Sequence, residues 1–283
     1  MCSLVILRRP GHDWPLLLAA NRDELRMRSA RAPARHWQDR PEVVAGLDVE
    51  GGGSWLGIND HGLVAAVLNR EGTLGPKAGV RSRGELVLEA LDHAEAGAAA
   101  GALADLHPDA YRPFNLIIAD PRDAYWLRHG GDGEIRIHPI PFGLHMITAG
   151  ELDDPGQPRI SRFLPLFRAA VEPDPECGVG IKGWAEWVAL LQRRDLAPND
   201  ASVDGSGDVP GDVPAEPVVA AMNVDGIELF GQAFGTVASS LIAVPAYPGF
   251  SQQPIFLHAD GAPDLVSFET VELGASGAIH PVP

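Results

Sequence analysis

The sequence predicts one α+β domain in which sheet layers pack between helices. Three observations carry that expectation. Short apolar runs broken by turn formers fill the first third of the chain, a helical stretch occupies the middle, and strand-like runs return near the end. No internal repeat interrupts this order, and at 283 residues, 45% hydrophobic and 21% charged, the chain can bury a substantial core.

The first two strands are expected at 3–7 (SLVIL) and 15–20 (PLLLAA), joined by the polar connection RPGHDW. Residues 54–59 (SWLGIN) and 62–69 (GLVAAVLN) flank a turn containing Asn59 and Gly62, the pattern of a hairpin. Ser82 and Glu85 have the spacing of a capping box, and Val87, Ala90, Leu91 and Ala94 follow as a helical stripe. Strands are then expected at 114–120, 124–129, 134–140 and 143–149. Ile160, Phe163, Leu164 and Phe167 form a second helical stripe with Pro165 inside it, and Trp184, Trp187, Val188 and Leu191 a third. Residues 198–217, rich in Pro, Gly, Ser and Asp, read as a flexible acidic surface loop within the domain. Strands at 235–245, 253–259 and 264–273 are expected to complete the sheets.

A net charge of -16 argues against a nucleic-acid partner and against adhesion to an anionic membrane. No run approaches the ~20 apolar residues of a membrane helix, and the apolar stretch Leu4 to Leu7 is too short for a signal-peptide core. The two cysteines, Cys2 and Cys177, form neither a disulfide framework nor a metal-type pair, so a cytoplasmic protein is expected. No His-x-x-x-His or carboxylate cluster has metal-ligand spacing.

Four stretches offer chemistry: Met1-Cys2, NRDE (21–24), GGGSWLGINDHGLVAAVLN (51–69) and SRGEL (82–86). Removal of Met1 would give Cys2 both a thiol and a free α-amino group, which titrate near ~8.5 and ~7.7–8.0, so that the amine can serve as base for its own thiol. In a two-strand hairpin the start of the first strand faces the end of the second. Arg22 is therefore expected to favour the thiolate and Asp23 to hold the amine. Asn69, at the end of a strand, has the amide donor an oxyanion needs. Each stretch also has a plainer reading: Cys2 as a small apolar residue, NRDE as a charged strand exit, Asn69 as a strand terminator, GGGSW as a turn, although its three glycines also allow close backbone approach to a ligand, and SRGEL as a helix cap.

Together, Met-Cys, AANRDE, GGGSWLGIN, a strand ending in Asn-Arg, SRGEL and FNLIIAD resemble, in this order, the NRDE family, which includes the transport and Golgi organisation proteins. The resemblance is clear over 1–150 and continues to FGTVASSLIAV. That family looks related to the N-terminal nucleophile hydrolases of the penicillin V acylase and bile-salt hydrolase branch. The resemblance implies a four-layer αββα sandwich, with Cys2 as nucleophile, Arg22 and Asp23 as its charge partners and Asn69 as oxyanion donor. Two positions depart from the branch: Ala149 stands where relatives often show Asn, and Val237 where Arg often follows Gly-Thr.

Three functions follow as expectations. The first is a cysteine hydrolase that needs no cofactor and cleaves a non-peptide C–N bond of a small-molecule amide. The second, from the resemblance, is a carrier of haem or another hydrophobic ligand, with no axial ligand assignable among ten scattered histidines. The third, ranked below both, pairs a cysteine with a histidine such as His145.

Overall fold

The computed structural model describes residues 2–75, 77–177, 180–194, 220–246 and 252–274. The acidic loop expected at 198–217 lies outside them. Two seven-stranded antiparallel sheets are built from β1 (Ser3–Arg8), β2 (Leu16–Leu25), β3 (Ala30–Ala34), β4 (Val43–Asp48), β5 (Leu56–Asn59), β6 (Val64–Asn69), β7 (Phe114–Ala119), β8 (Ala124–His129), β9 (Ile135–Pro139), β10 (Gly143–Ile147), β11 (Ile227–Leu229), β12 (Gln232–Val244), β13 (Ile255–Ala259) and β14 (Glu269–Thr270). The helices are α1 (Gly84–Leu91), α2 (Ala96–Ala104), α3 (Pro158–Ala169) and α4 (Ala185–Leu191). One sheet has the order β10-β1-β2-β12-β13-β14, with β11 also on β12; the other runs β3 to β9 in chain order.

Strand alternation explains the layers. Leu4, Ile6, Leu16 and Leu18 of the first sheet meet Ile58, Val64 and Ile117 of the second in a dry core between the sheets. Val5, Leu7, Leu17 and Ala19 point the other way, onto Phe163, Phe167 and Trp187 of α3 and α4. On the far side, Ala65, Leu116 and Ile118 pack under Val87, Leu91 and Leu103 of α1 and α2. Helices thus cover the outer face of each sheet, giving the expected αββα order. Asn115, fully buried in β7, ties the sheets at one end: its amide donates to the carbonyl oxygens of Thr148 (3.0 Å) and Gly150 (2.9 Å), just past β10.

The differences from expectation have local causes. The second strand runs on through NRDE to Leu25, because β12 pairs with it along that whole length. The proposed capping box forms only in part: Ser82 Oγ accepts from the Gly84 N–H (3.2 Å), while Glu85 turns to Arg81 (2.7 Å). Helix α2 was hidden in an Ala-Gly run whose stripe, Ala96, Ala99, Ala100 and Leu103, has little hydrophobic contrast. Strands β3 and β4 were likewise not expected. The strand expected at 264–273 shrinks to Glu269–Thr270. Helix α3 keeps Pro165 within it and still buries the predicted stripe. The hairpin of β5 and β6 is as expected: Gly62 takes φ +82°, and Asn59 Oδ1 accepts from the N–H groups of His61 and Leu63, both at 3.0 Å.

Candidate active site

NRDE sits mid-sheet between β1 and β12, and strand alternation divides it between two faces. Ser3 pairs with Asn21, so Cys2, one residue earlier, stands beside Arg22. Asn21 and Asp23 face the α3–α4 side. The Asn21 amide donates to the carbonyls of Leu191 (3.0 Å) and Met222 (2.9 Å), and its oxygen accepts from Ser239 Oγ (2.7 Å). The Asp23 carboxylate is buried; Oδ2 pairs with Arg159 Nη1 (2.9 Å) and Oδ1 accepts from Thr236 Oγ1 (2.7 Å). Arg22 faces the space between the sheets, its guanidinium stacked over the Trp55 ring at 4.4 Å, with Glu24 at 3.8 Å.

Val237 sets which residues of β12 meet each of these faces. Thr236 pairs with Asp23 and Ala238 with Arg22, so Val237 is an extra residue, a β-bulge, that shifts the phase of β12. The bulge lets Thr236 share a face with Asp23 while Ala238 and Ser240 face inward.

Cys2, Arg22, Trp55, Leu56 and Leu68 line a narrow cleft between the sheets that encloses a void of about 20 Å³, with Ala20, Ala66 and Ala238 as small wall residues. The Cys2 Sγ donates to the Asp23 carbonyl oxygen at 3.6 Å. Burial raises the thiol pKa and the Asp23 charge adds to that, while Arg22 opposes it. Strand β6 brings Ala66, Val67 and Leu68 to the wall, and half-buried Asn69 follows as its last residue, paired with Phe114. Ala149 is buried and level with Cys2, two residues beyond the Leu4–Ile147 pair.

The structure therefore gathers Cys2, Arg22 and Asp23 at one end of the sandwich, with Asn69 one residue past the cleft wall. His145 Nδ1 is bonded to Asp153 at 2.6 Å and its Nε2 faces the Phe142 carbonyl oxygen at 3.4 Å, so both nitrogens are engaged. Cys177 is exposed. Sequence reasoning missed Arg159, Trp55, Ser240 and His258. Thr236 had a signal in the Gly-Thr strand, and Trp55 in GGGSW; the others had none. GGGSW and SRGEL turn out to pack on each other: a Cβ at Gly53 would meet the Gly84 carbonyl carbon at 2.3 Å, and Ser54 N–H donates to the Gly84 oxygen at 3.0 Å.

A family model described as Transport and Golgi organisation 2 matches residues 1–247. A bovine Transport and Golgi organization protein 2 homolog is 42% identical over 119 residues, covering 38% of this chain and 39% of its own. The human homolog is 34% identical over 142 residues, covering 46% and 50%. The matched region thus spans half or less of these relatives. Among solved structures, the Caenorhabditis elegans N-acylethanolamine-hydrolyzing acid amidase ortholog aligns over 89% of this chain and 98% of its own, with a TM-score of 0.51 and 12% identity, a likeness of fold.

Proposed function

The chain belongs to the Transport and Golgi organisation 2 family, and within that family we propose that it is a cysteine N-terminal nucleophile hydrolase that cleaves a non-peptide C–N bond, an amide. The observation that supports this most is Cys2 at the wall of the inter-sheet cleft with Arg22 beside it. After loss of Met1, the free amine of Cys2 takes the thiol proton, and the sulfur attacks the substrate carbonyl carbon. Asn69 and a backbone N–H hold the oxyanion, an interaction of roughly 3 kcal/mol when preorganised. The C–N bond breaks as the ammonium returns its proton to the leaving amine. Water then adds to the thioester, gives a proton to the amine, and the C–S bond breaks to release the acid and regenerate the thiol. Arg22 lowers the cost of the thiolate; Asp23, fixed by Arg159 and Thr236, orients the amine.

Intact-mass measurement of the native protein, before and after an acylating thiol probe, tests this. The expected result is loss of Met1 and one adduct on Cys2, absent in Cys2→Ala. Retention of Met1 in the mature protein ends the mechanism.

The carrier reading asks more of the cleft. The void it encloses, about 20 Å³, is far below the ~300–1,000 Å³ of pockets for drug-sized ligands, and Cys2 is the one ligand-type thiol or imidazole among its lining residues. A haem would need the sheets to part. Haem titration at micromolar protein decides: a Soret shift that Cys2→Ala abolishes supports the carrier, and no shift removes it.

A further inference from the structure

The void beside Cys2 encloses about 20 Å³, room for about one water molecule, and Ser240 on its wall is bonded to His258 Nδ1 at 2.9 Å. The body of a substrate therefore lies outside the sheets. A larger space opens at the end of the sandwich where β1 begins. Its walls include Arg70 and Glu71 just past β6, Ala149 and Glu151 just past β10, and Asp154 and Gln157 ahead of α3. This cavity holds about 340 Å³, within the ~300–1,000 Å³ of small-molecule pockets. Ala149 ties it to the thiol. It is level with Cys2 on the neighbouring strand, and opposed residues of paired strands have Cα atoms roughly 5 Å apart. The Ala149 carbonyl oxygen also accepts from the Glu71 N–H (3.2 Å), which sets Glu71 on the far side of Ala149 from Cys2.

The charge of the pocket is one-sided. Arg70 is held to the wall: Nη1 donates to Asn115 Oδ1 (2.7 Å) and to the Gly150 carbonyl oxygen (3.2 Å), and Nη2 donates to Glu151 (2.5 Å), which matches its charge. Asp154 Oδ1 accepts from the Gly156 N–H (2.8 Å). Among the described residues, Asp154 Oδ2, the Glu71 carboxylate and the Gln157 side-chain amide have no hydrogen bond, and neither carboxylate has a cation within ion-pair distance. The pocket thus offers two unmatched carboxylates and an amide, beside one cation that is matched.

We propose that this pocket receives the amine half of the amide, and that this half carries a second, protonated amine, so that the substrate is a mono-acylated diamine. Glu71 and Asp154 hold the far ammonium while the amide nitrogen lies at the Cys2 end. An N-acyl amino acid is disfavoured, because its carboxylate would meet theirs. The inference rests on the hydrolase reading for the thiol and on the cavity for the amine.

Calorimetry with free amines tests the pocket without turnover. Putrescine, butylamine and γ-aminobutyrate share a four-carbon chain and differ in its far group. Putrescine is expected to bind once per chain, about two- to fivefold tighter than butylamine, with γ-aminobutyrate weakest. Glu71→Gln and Asp154→Asn each weaken putrescine by about two- to fivefold, whereas Glu42→Gln, at the opposite end of the sandwich, leaves it unchanged. Putrescine that binds no better than γ-aminobutyrate, or that is weakened equally by Glu42→Gln, reports only attraction to a chain of net charge -16 and overturns the proposal. The second arm uses acylated Cys2. One putrescine nitrogen attacks the thioester carbonyl, the C–S bond breaks, the nitrogen's proton passes to the sulfur, and the mono-acyl diamine leaves. Putrescine is expected to capture more acyl group than γ-aminobutyrate, and Glu71→Gln to shrink that preference; a preference unchanged in Glu71→Gln overturns the assignment to the leaving amine. If putrescine binds as stated while Cys2 takes no acyl group, the hydrolase reading falls and the cation site stands.

Discussion

Four adjacent letters, NRDE, do four different things because a strand turns successive side chains to opposite faces. Asn21 and Asp23 bind the helical layer, Arg22 lines the cleft, and Glu24 lies 3.8 Å from Arg22. The Asp23–Arg159 pair is buried on both sides, so removing one partner leaves a charge in a dry interior. Arg159→Met is expected to cost about 3–5 kcal/mol, read as a fall in the chemical-denaturation midpoint. Thr236→Val, which strips one bond from Asp23 and one from the Val224 N–H (2.8 Å), costs about 1–3 kcal/mol in the same assay. His258 makes a pH prediction. Its pKa falls from 6.5 to about 4 on folding, so the unfolded chain binds more protons between those values and stability drops as pH falls through that window. The contribution is at most about 3 kcal/mol, and His258→Gln should flatten the stability curve between pH 6.5 and 4. The raised thiol pKa of Cys2 predicts slow alkylation at pH 7 in a chain that retains Met1, accelerating with alkali; equal rates across that range would contradict it.

At the scale of elements, what was legible was whatever depends on near neighbours. The hairpin of β5 and β6 shows in its apolar runs and in Asn59 and Gly62, and α3 and α4 show in their stripes of large side chains. Helix α2 did not, because alanine contributes little contrast between its faces. The end of β2 was misplaced because NRDE is charged, and only its pairing with β12, some 215 residues later, explains why charge continues a strand there. GGGSW reads as a turn or as room for a ligand and SRGEL as a helix cap, and the structure adds a contact between the two that neither reading contains. Gly53 and Gly84 let the approach to β5 touch the start of α1 backbone to backbone. Gly53→Ala or Gly84→Ala is expected to cost roughly 1–3 kcal/mol through overpacking, measurable as a lowered melting temperature, with far-UV circular dichroism unchanged at 25 °C.

At the scale of the whole molecule, the order of strands, helices and strands again foretold sheet layers packed between helices, and the structure shows the apolar run from Leu4 to Leu7 buried on both faces of its sheet. The candidate site was legible where a hairpin brings Cys2 beside Arg22 and Asp23. It was not legible at Arg159, Ser240 and His258, which reach the site from remote segments and have no spacing to betray them. The cleft itself has a divided origin. Cys2, Arg22 and Ser240 stand on one sheet, while Trp55, Leu56 and Leu68 stand on the other. Neither sheet owns a cavity, so the cleft comes into being when the two hydrophobic faces meet. The reactivity of a single thiol is then a gauge of how closely two slabs are pressed together, and it should respond to loosened docking while every strand is still hydrogen-bonded to its neighbour.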